Sequence, residues 1–212
     1  VGTTWSQITS TSTTPESSIV DDGFYYVTNA LSLVGTVLTP VLVLVKSETT
    51  NAAWNSNTEK NCCYFIYRNP ANGVFTVKSV GNDASTVEPT IQTLNWQSAT
   101  CAEYHLNKLW VGGIRESSDP ELIAAADNLL VNRHNRIRWC KTGSIDANYS
   151  GTGVGNEGSW GGSGTGYLDV PVTGEHLVVG MRSFRGQLYI LTTSDLFVLT
   201  GTTSAQFGLT RI

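Results

Sequence analysis

The segment from Gly174 to Gly201, GEHLVVGMRSFRGQLYILTTSDLFVLTG, gives the clearest indication of the fold. Short apolar runs alternate in it with pairs of turn residues. Arg185-Gly186 ends the first run, and the glycine accepts positive φ at no steric cost. Ser194-Asp195 separates the second run from the third. The pattern predicts three consecutive antiparallel strands joined by tight turns, which is a β-meander.

A related hairpin lies earlier in the chain. There the predicted turn pair is Leu106-Asn107, and the following Lys108-Leu-Trp-Val matches Gln187-Leu-Tyr-Ile position by position, 79 residues later. Two insertions lengthen this interval: a polar, partly helical segment at 115–133 and a glycine-rich loop at 141–166. The match predicts sheet units repeated around a centre.

Composition limits both the fold and the partners. The 212 residues contain only 14% charged residues, carry a net charge of −4 and have a pI near 5.3. This balance disfavours a basic face for nucleic acid. No apolar stretch reaches the roughly 18 residues of a membrane helix, and residues 1–18 do not resemble a signal peptide. The four cysteines lack metal-site spacing and are interpreted as buried thiols of a protein assembled in a reducing compartment; they are Cys62, Cys63, Cys101 and Cys140.

The predicted fold class is mainly β, with antiparallel meander sheets in a propeller-like or partial-propeller arrangement and one short helix. Residues 1–20 are predicted to form a polar extended arm. Residues 21–212 are predicted to form the β-rich domain, with 21–103 and 104–212 as a possible division into two sheet units. The helix is expected at 118–130, where Ser-Asp-Pro-Glu supplies a cap and a proline at the first helical position. Further strands are expected at 24–28, 31–37, 41–46, 62–67, 74–80, 90–96, 102–105 and 136–140, with a joint at Thr39-Pro40 and a turn at Asn69–Gly73.

Chemical motifs in the sequence are weak. Gly153–Gly158 spells GxGxxG, but neither a strand before it nor a helix after it is indicated, so the segment is interpreted as a loop. The three histidines form no recognisable triad, and no nucleophile, general base or metal cluster is indicated. We therefore expect no enzyme activity, no cofactor and no metal. Trp110 and Trp139 are expected in the core, whereas Trp54 and Trp160 lie in polar loops and are the candidate ligand or interface contacts.

Three segments carry a resemblance to a known group of proteins. They are HLNKLWVGGI, NRHNRIRWCKTGS and the run from Gly166 to Gly201, and the similarity extends over residues 104–212. In this order they resemble the β-propeller-like part of tailed-phage virion proteins, especially the tail nozzle or tail tubular proteins of short-tailed phages. The pattern consists of strands and turns rather than catalytic residues.

The resemblance implies a non-enzymatic virion protein, assembled in the host cytoplasm and taking part in DNA ejection. It would form a homo-oligomeric ring around the DNA conduit, contacting other virion proteins, with DNA passing through without specific binding and no insertion into a membrane. The acidic balance suits a conduit, because phosphate contacts would retard the DNA. Two alternatives remain open: a carbohydrate-binding β module that uses Trp54 or Trp160, and a capsid-decorating protein.

Overall fold

The fold is described from a computed structural model that places residues 25–34, 36–47, 63–79, 96–117, 130–143, 145, 160, 164–171 and 177–212. Within these ranges the chain is mainly β and contains no α-helix. The fold class predicted from sequence, antiparallel meander sheets, is confirmed for this part of the chain.

The described strands form three four-stranded antiparallel sheets, each built from consecutive strands. Sheet I contains β1 (Tyr25–Val34), β2 (Val37–Lys46), β3 (Cys63–Arg68) and β4 (Phe75–Ser79). Sheet II contains β5 (Trp96–His105), β6 (Lys108–Ser117), β7 (Leu130–Trp139) and β8 (Gly166–Asp169). Sheet III contains β9 (Val178–Phe184), β10 (Gln187–Thr192), β11 (Leu196–Thr200) and β12 (Gly208–Arg211).

The turn predictions are confirmed where turn chemistry is local. Leu106 and Asn107 have φ of 51° and 57°, and Arg185 and Gly186 have φ of 50° and 77°. Two consecutive positive φ values match the right-handed twist of the strands that such a turn joins. The two hairpins, β5–β6 and β9–β10, therefore occupy equivalent places in successive sheets, as the 79-residue match predicted.

The predicted joint at Thr39-Pro40 is wrong. The β1–β2 ladder is continuous from Tyr25↔Lys46 to Val34↔Val37, with Pro40 inside it opposite Leu31. Pro40 is tolerated because the ladder between β2 and β3 begins only at Val41, so no hydrogen bond with β3 requires its missing amide hydrogen.

Other boundaries also differ from the sequence prediction. The strand expected at 136–140 is longer, because β7 already begins at Leu130. Leu130 is thus strand rather than the end of a helix, and the rest of the predicted helix lies outside the described residues. The same holds for the arm at 1–20 and for most of the loop at 141–166. The division at 103/104 lies inside β5, and the described strands form three sheets rather than two units.

Sheet II lies between the other two sheets and buries apolar side chains on both faces. Strand β5 contacts β1 and β2 on one side and β9 on the other. The core between sheets I and II includes Val43, Trp96 and Val111, and the core between sheets II and III includes Trp110, Ile137 and Phe197. Because most apolar area is buried between sheets, face-to-face packing is the main stabilising interaction of this fold.

Sheets II and III approach each other closely at Gly112-Gly113. A Cβ atom at Gly112 would lie 2.9 Å from Val178 Cγ1. At Gly113, which has φ of +63°, a Cβ atom would lie 2.8 Å from the Val178 carbonyl oxygen and 2.1 Å from Thr100 Oγ1. The Thr100 hydroxyl lies 2.9 Å from the Gly112 carbonyl oxygen and 2.7 Å from that of Val178. The two glycines therefore allow β9 to pack directly on the backbone of β6.

Candidate functional site

Of the two tryptophans predicted as ligand contacts, Trp160 does not lie on the surface. Trp160 is 2% exposed, and its ring centre lies 5.1 Å from that of Trp96. Its indole N–H donates a 3.2 Å hydrogen bond to the Ile145 carbonyl. Trp160 is thus part of the core beside sheet II, with no exposed ring face for a sugar to stack on. Trp54 lies outside the described residues.

The tryptophans predicted as core residues are confirmed as such. Trp110 and Trp139 are buried, and their ring centres lie 4.9 Å apart. Phe207, in the connection between β11 and β12, packs edge-on against both rings, so this connection joins sheet III to an aromatic cluster on sheet II. Such clusters bury large area and fix side-chain geometry.

A buried carboxylate and several arginines form the strongest charge cluster in the described part of the chain. Glu116 on β6 is almost fully buried and accepts hydrogen bonds from Arg136 and Arg138 on β7, the latter at 2.9 Å. Arg133 lies 3.5 Å from the same carboxylate. These contacts join β6 and β7 on the face opposite Ile137 and Trp139, so the alternation predicted for β7 is confirmed.

Arg136 continues this cluster to β8. Its guanidinium donates two hydrogen bonds to Asp169, at 2.7 and 2.8 Å, and stacks 3.8 Å from the ring centre of Tyr167. The hydrogen bond to Arg136 lowers the pKa of Asp169, and the same bond raises the pKa of Arg136. The cluster therefore links β6, β7 and β8 through charge-assisted hydrogen bonds.

Ser183 and His105 have the spacing of a nucleophile and a base. Ser183 Oγ lies 2.9 Å from His105 Nδ1, and which atom donates depends on the imidazole tautomer. However, Glu103 accepts the Ser183 backbone N–H at 3.0 Å instead of orienting the imidazole. His105 is only 6% exposed, and burial lowers its pKa. The three residues link β5 to β9; His105 and Glu103 are buried between two packed sheets, and Ser183 is partly buried.

Lys108 and Cys140 form a second buried polar group. Lys108 Nζ donates hydrogen bonds to the carbonyls of Cys140 and Gly164, at 3.2 and 2.7 Å. Burial lowers the pKa of Lys108 and raises the pKa of Cys140 to about 12. Burial likewise raises the pKa of Cys101 to about 12, so neither thiol is a thiolate near neutral pH. The three described cysteines, Cys63 included, are buried as predicted.

A cleft of about 270 Å³, lined by both polar and apolar groups, opens on sheet II. Ser98, Arg115 and Asn132 face one another in register across β5, β6 and β7, and all three line it. Ser47 and the exposed His134 lie beside them. Hydroxyl, amide, imidazole and guanidinium groups can all hydrogen-bond a polyhydroxylic ligand, and no carboxylate is among the described lining residues.

Sequence reasoning missed this cleft because its residues lie on three strands and share no local motif. Only the register of the strands brings them together. Within the described ranges, no cluster of three or more His, Cys, Asp or Glu side chains is placed to bind a metal ion. Nor does that part of the chain contain a helix long and apolar enough to cross a membrane.

Comparison with known proteins provides no family assignment. No protein-family model matches the chain, and no curated protein is significantly similar to it.

Proposed function

We propose that this protein is a non-enzymatic structural subunit of a phage virion. In this proposal it is a component of the tail nozzle or tail tube, and its copies form a ring around the DNA conduit. The observation that carries the proposal is the succession of three four-stranded meanders that pack face to face in chain order.

This succession supports a propeller-like arrangement. Blades of a propeller are four-stranded meanders that repeat around a centre. Here the first strand of sheet II, β5, contacts the first strands of both neighbouring sheets, β1 and β9. The first strands are thus brought together, while the later strands of each meander lie progressively farther from them in the hydrogen-bonding order.

The use of polar groups supports a structural rather than an enzymatic role. Glu116 is committed to arginines of its own sheet, and Lys108 is committed to backbone carbonyls. Burial suppresses the nucleophilic form of Cys101 and Cys140. The net charge of −4 suits contact with passing DNA, because few phosphates would be neutralised and retained.

The test is cryo-electron microscopy of the particle that contains the chain, combined with antibody labelling of this chain. The proposal predicts copies arranged with rotational symmetry on the tail axis. Copies scattered over the capsid would overturn the tail assignment in favour of a decorating role, and absence from purified particles would overturn the virion role altogether.

The cleft on sheet II favours a second candidate function, binding of a carbohydrate. Its lining supplies side-chain donors in register across three strands. A glycan array with the whole chain tests this: specific binding should be lost in Asn132→Ala and kept in Lys141→Ala, an exposed residue outside the cleft. Equal binding by both variants, or none by the unaltered chain, would exclude the cleft as a glycan site.

A further inference from the structure

The three sheets stack in chain order. The side chains of the second strand in each sheet show which face packs on the preceding sheet and which packs on the following one. In β6, Leu109 and Val111 lie in the core with the preceding sheet, whereas Trp110 lies in the core with the following one. In β10, Leu188 and Ile190 again lie in the core with the preceding sheet. Counting from the hairpin turn, the second and fourth residues of the strand thus face backwards along the chain, and the third faces forwards.

Sheet I differs because it has no described sheet before it. In β2, Val41 and Val43 face sheet II. Alternation places Leu38 and Leu42 on the opposite face, where they are 53% and 37% exposed. The side chains that share this outer face include Val27, Leu44, Ile66 and Phe75, of which Val27 and Phe75 are 52% exposed. Lys46 and Tyr64, at one end of the same face, are buried. We call it face A.

In sheet III it is the forward face that no described sheet covers, because no described sheet follows it. Tyr189 is the equivalent of Trp110, which in sheet II is covered by the next sheet. On the same outer face lie Leu191 and Phe184, which are 44% and 57% exposed, and the register adds Val198 and Arg182. We call it face B. The described stack therefore ends with one apolar face that would receive a preceding sheet and one that would receive a following sheet.

We propose that face A of one copy packs on face B of a second copy, head to tail, so that two copies close a ring of six sheets. Contact between these faces continues the same stacking that already joins sheets I, II and III. Such a contact is heterologous and forms a ring when the rotation closes. The described strands of one copy form three sheets, so two copies supply six, a number within the roughly four to eight blades typical of propellers.

This inference rests on the propeller-like homo-oligomer of the proposed function, but not on its place in a virion. Both faces expose large apolar side chains, among them Leu42 and Phe75 on face A and Phe184 and Leu191 on face B, and burying them would supply the driving force for association.

Sedimentation velocity of the whole chain tests the proposal. The unaltered chain, 22.9 kDa as a monomer, should sediment as a dimer. Leu42→Asp on face A and Leu191→Asp on face B should each weaken dimerisation by at least about tenfold, equivalent to roughly 1.4 kcal/mol. Val74→Asp is the matched control, because Val74 is 40% exposed in the turn between β3 and β4, and it should leave the dimer intact.

An equimolar mixture of the two weakened variants distinguishes head-to-tail contact from other modes. In a mixed pair one interface combines both changes and the other has none, so dimers should reappear in the mixture but not in the double variant. Thermal melting monitored by circular dichroism establishes that each variant is folded, and Leu42→Ser replaces Leu42→Asp if the latter is not.

Several results would overturn the proposal: a monomeric unaltered chain, polymers larger than a dimer, or sensitivity to the change on one face alone. A dimer that behaves as described, in a protein absent from virions, would overturn the proposed function and leave the head-to-tail contact standing. A protein that lies in the tail but does not dimerise would overturn the head-to-tail contact and leave the proposed function standing.

Discussion

Replacing Gly113 by alanine tests how closely sheets II and III are held together. The new methyl group would lie 2.1 Å from Thr100 Oγ1 and 2.8 Å from the Val178 carbonyl oxygen, so both β5 and β9 must yield. Positive φ costs alanine about 1 kcal/mol. Displacing the Thr100 hydroxyl costs about 1 kcal/mol more, and forcing the packed backbone apart costs roughly 1–3 kcal/mol. We expect Gly113→Ala to lower the free energy of unfolding by about 3–5 kcal/mol.

The assay is urea denaturation followed by tryptophan fluorescence, with the slope m compared between variants. Gly143→Ala is the matched control, since Gly143 also has positive φ but no neighbouring atom within 4 Å of the position that an alanine methyl group would occupy, and it should cost only about 1 kcal/mol. Combining Gly113→Ala with Thr100→Ala removes the nearest clash, so the double variant should lose less stability than the sum of the two single changes. Equal losses in Gly113→Ala and Gly143→Ala would refute the close approach of β9.

Three further outcomes follow from the buried polar groups. Glu116→Gln should lower the free energy of unfolding by about 3 kcal/mol, because it removes the buried charge that Arg136 and Arg138 share, while Arg136 keeps its bonds to Asp169. Urea denaturation measures the loss, and a loss below about 1 kcal/mol, the range of an exposed pair, would contradict the prediction. Because burial lowers the pKa of His105 from 6.5, the unfolded chain binds its proton first, so stability should fall as pH drops from about 7 to about 5. The fall should be smaller in His105→Gln, and an identical pH dependence in both proteins would count against the assignment. Cys101 and Cys140 should resist iodoacetamide at about pH 8 until the chain is unfolded, as measured by peptide mass spectrometry; rapid labelling of the native protein would show that they are accessible.

Local sequence information was sufficient to predict the hairpins and the class of fold. The turn pairs Leu106-Asn107 and Arg185-Gly186 are local features of the sequence, because the φ values of the pair itself set the twist of the strands that it joins. The same local rule failed at Thr39-Pro40. There the apolar side chains of β2 pair continuously with β1, and the proline is accommodated at a position that β3 does not reach.

The packing of whole sheets decides which face of each strand is buried. It also decides which residues meet in the candidate sites. A period of two identifies two faces but not their neighbours, so Trp160 could not be recognised from sequence as a core residue beside Trp96. Likewise, Glu116 meets Arg136, 20 positions away, and Ser98 meets Arg115 only through strand register. The two kinds of feature differ in range, because turn conformation depends on adjacent residues, whereas burial and ion pairing depend on which distant sheets come into contact.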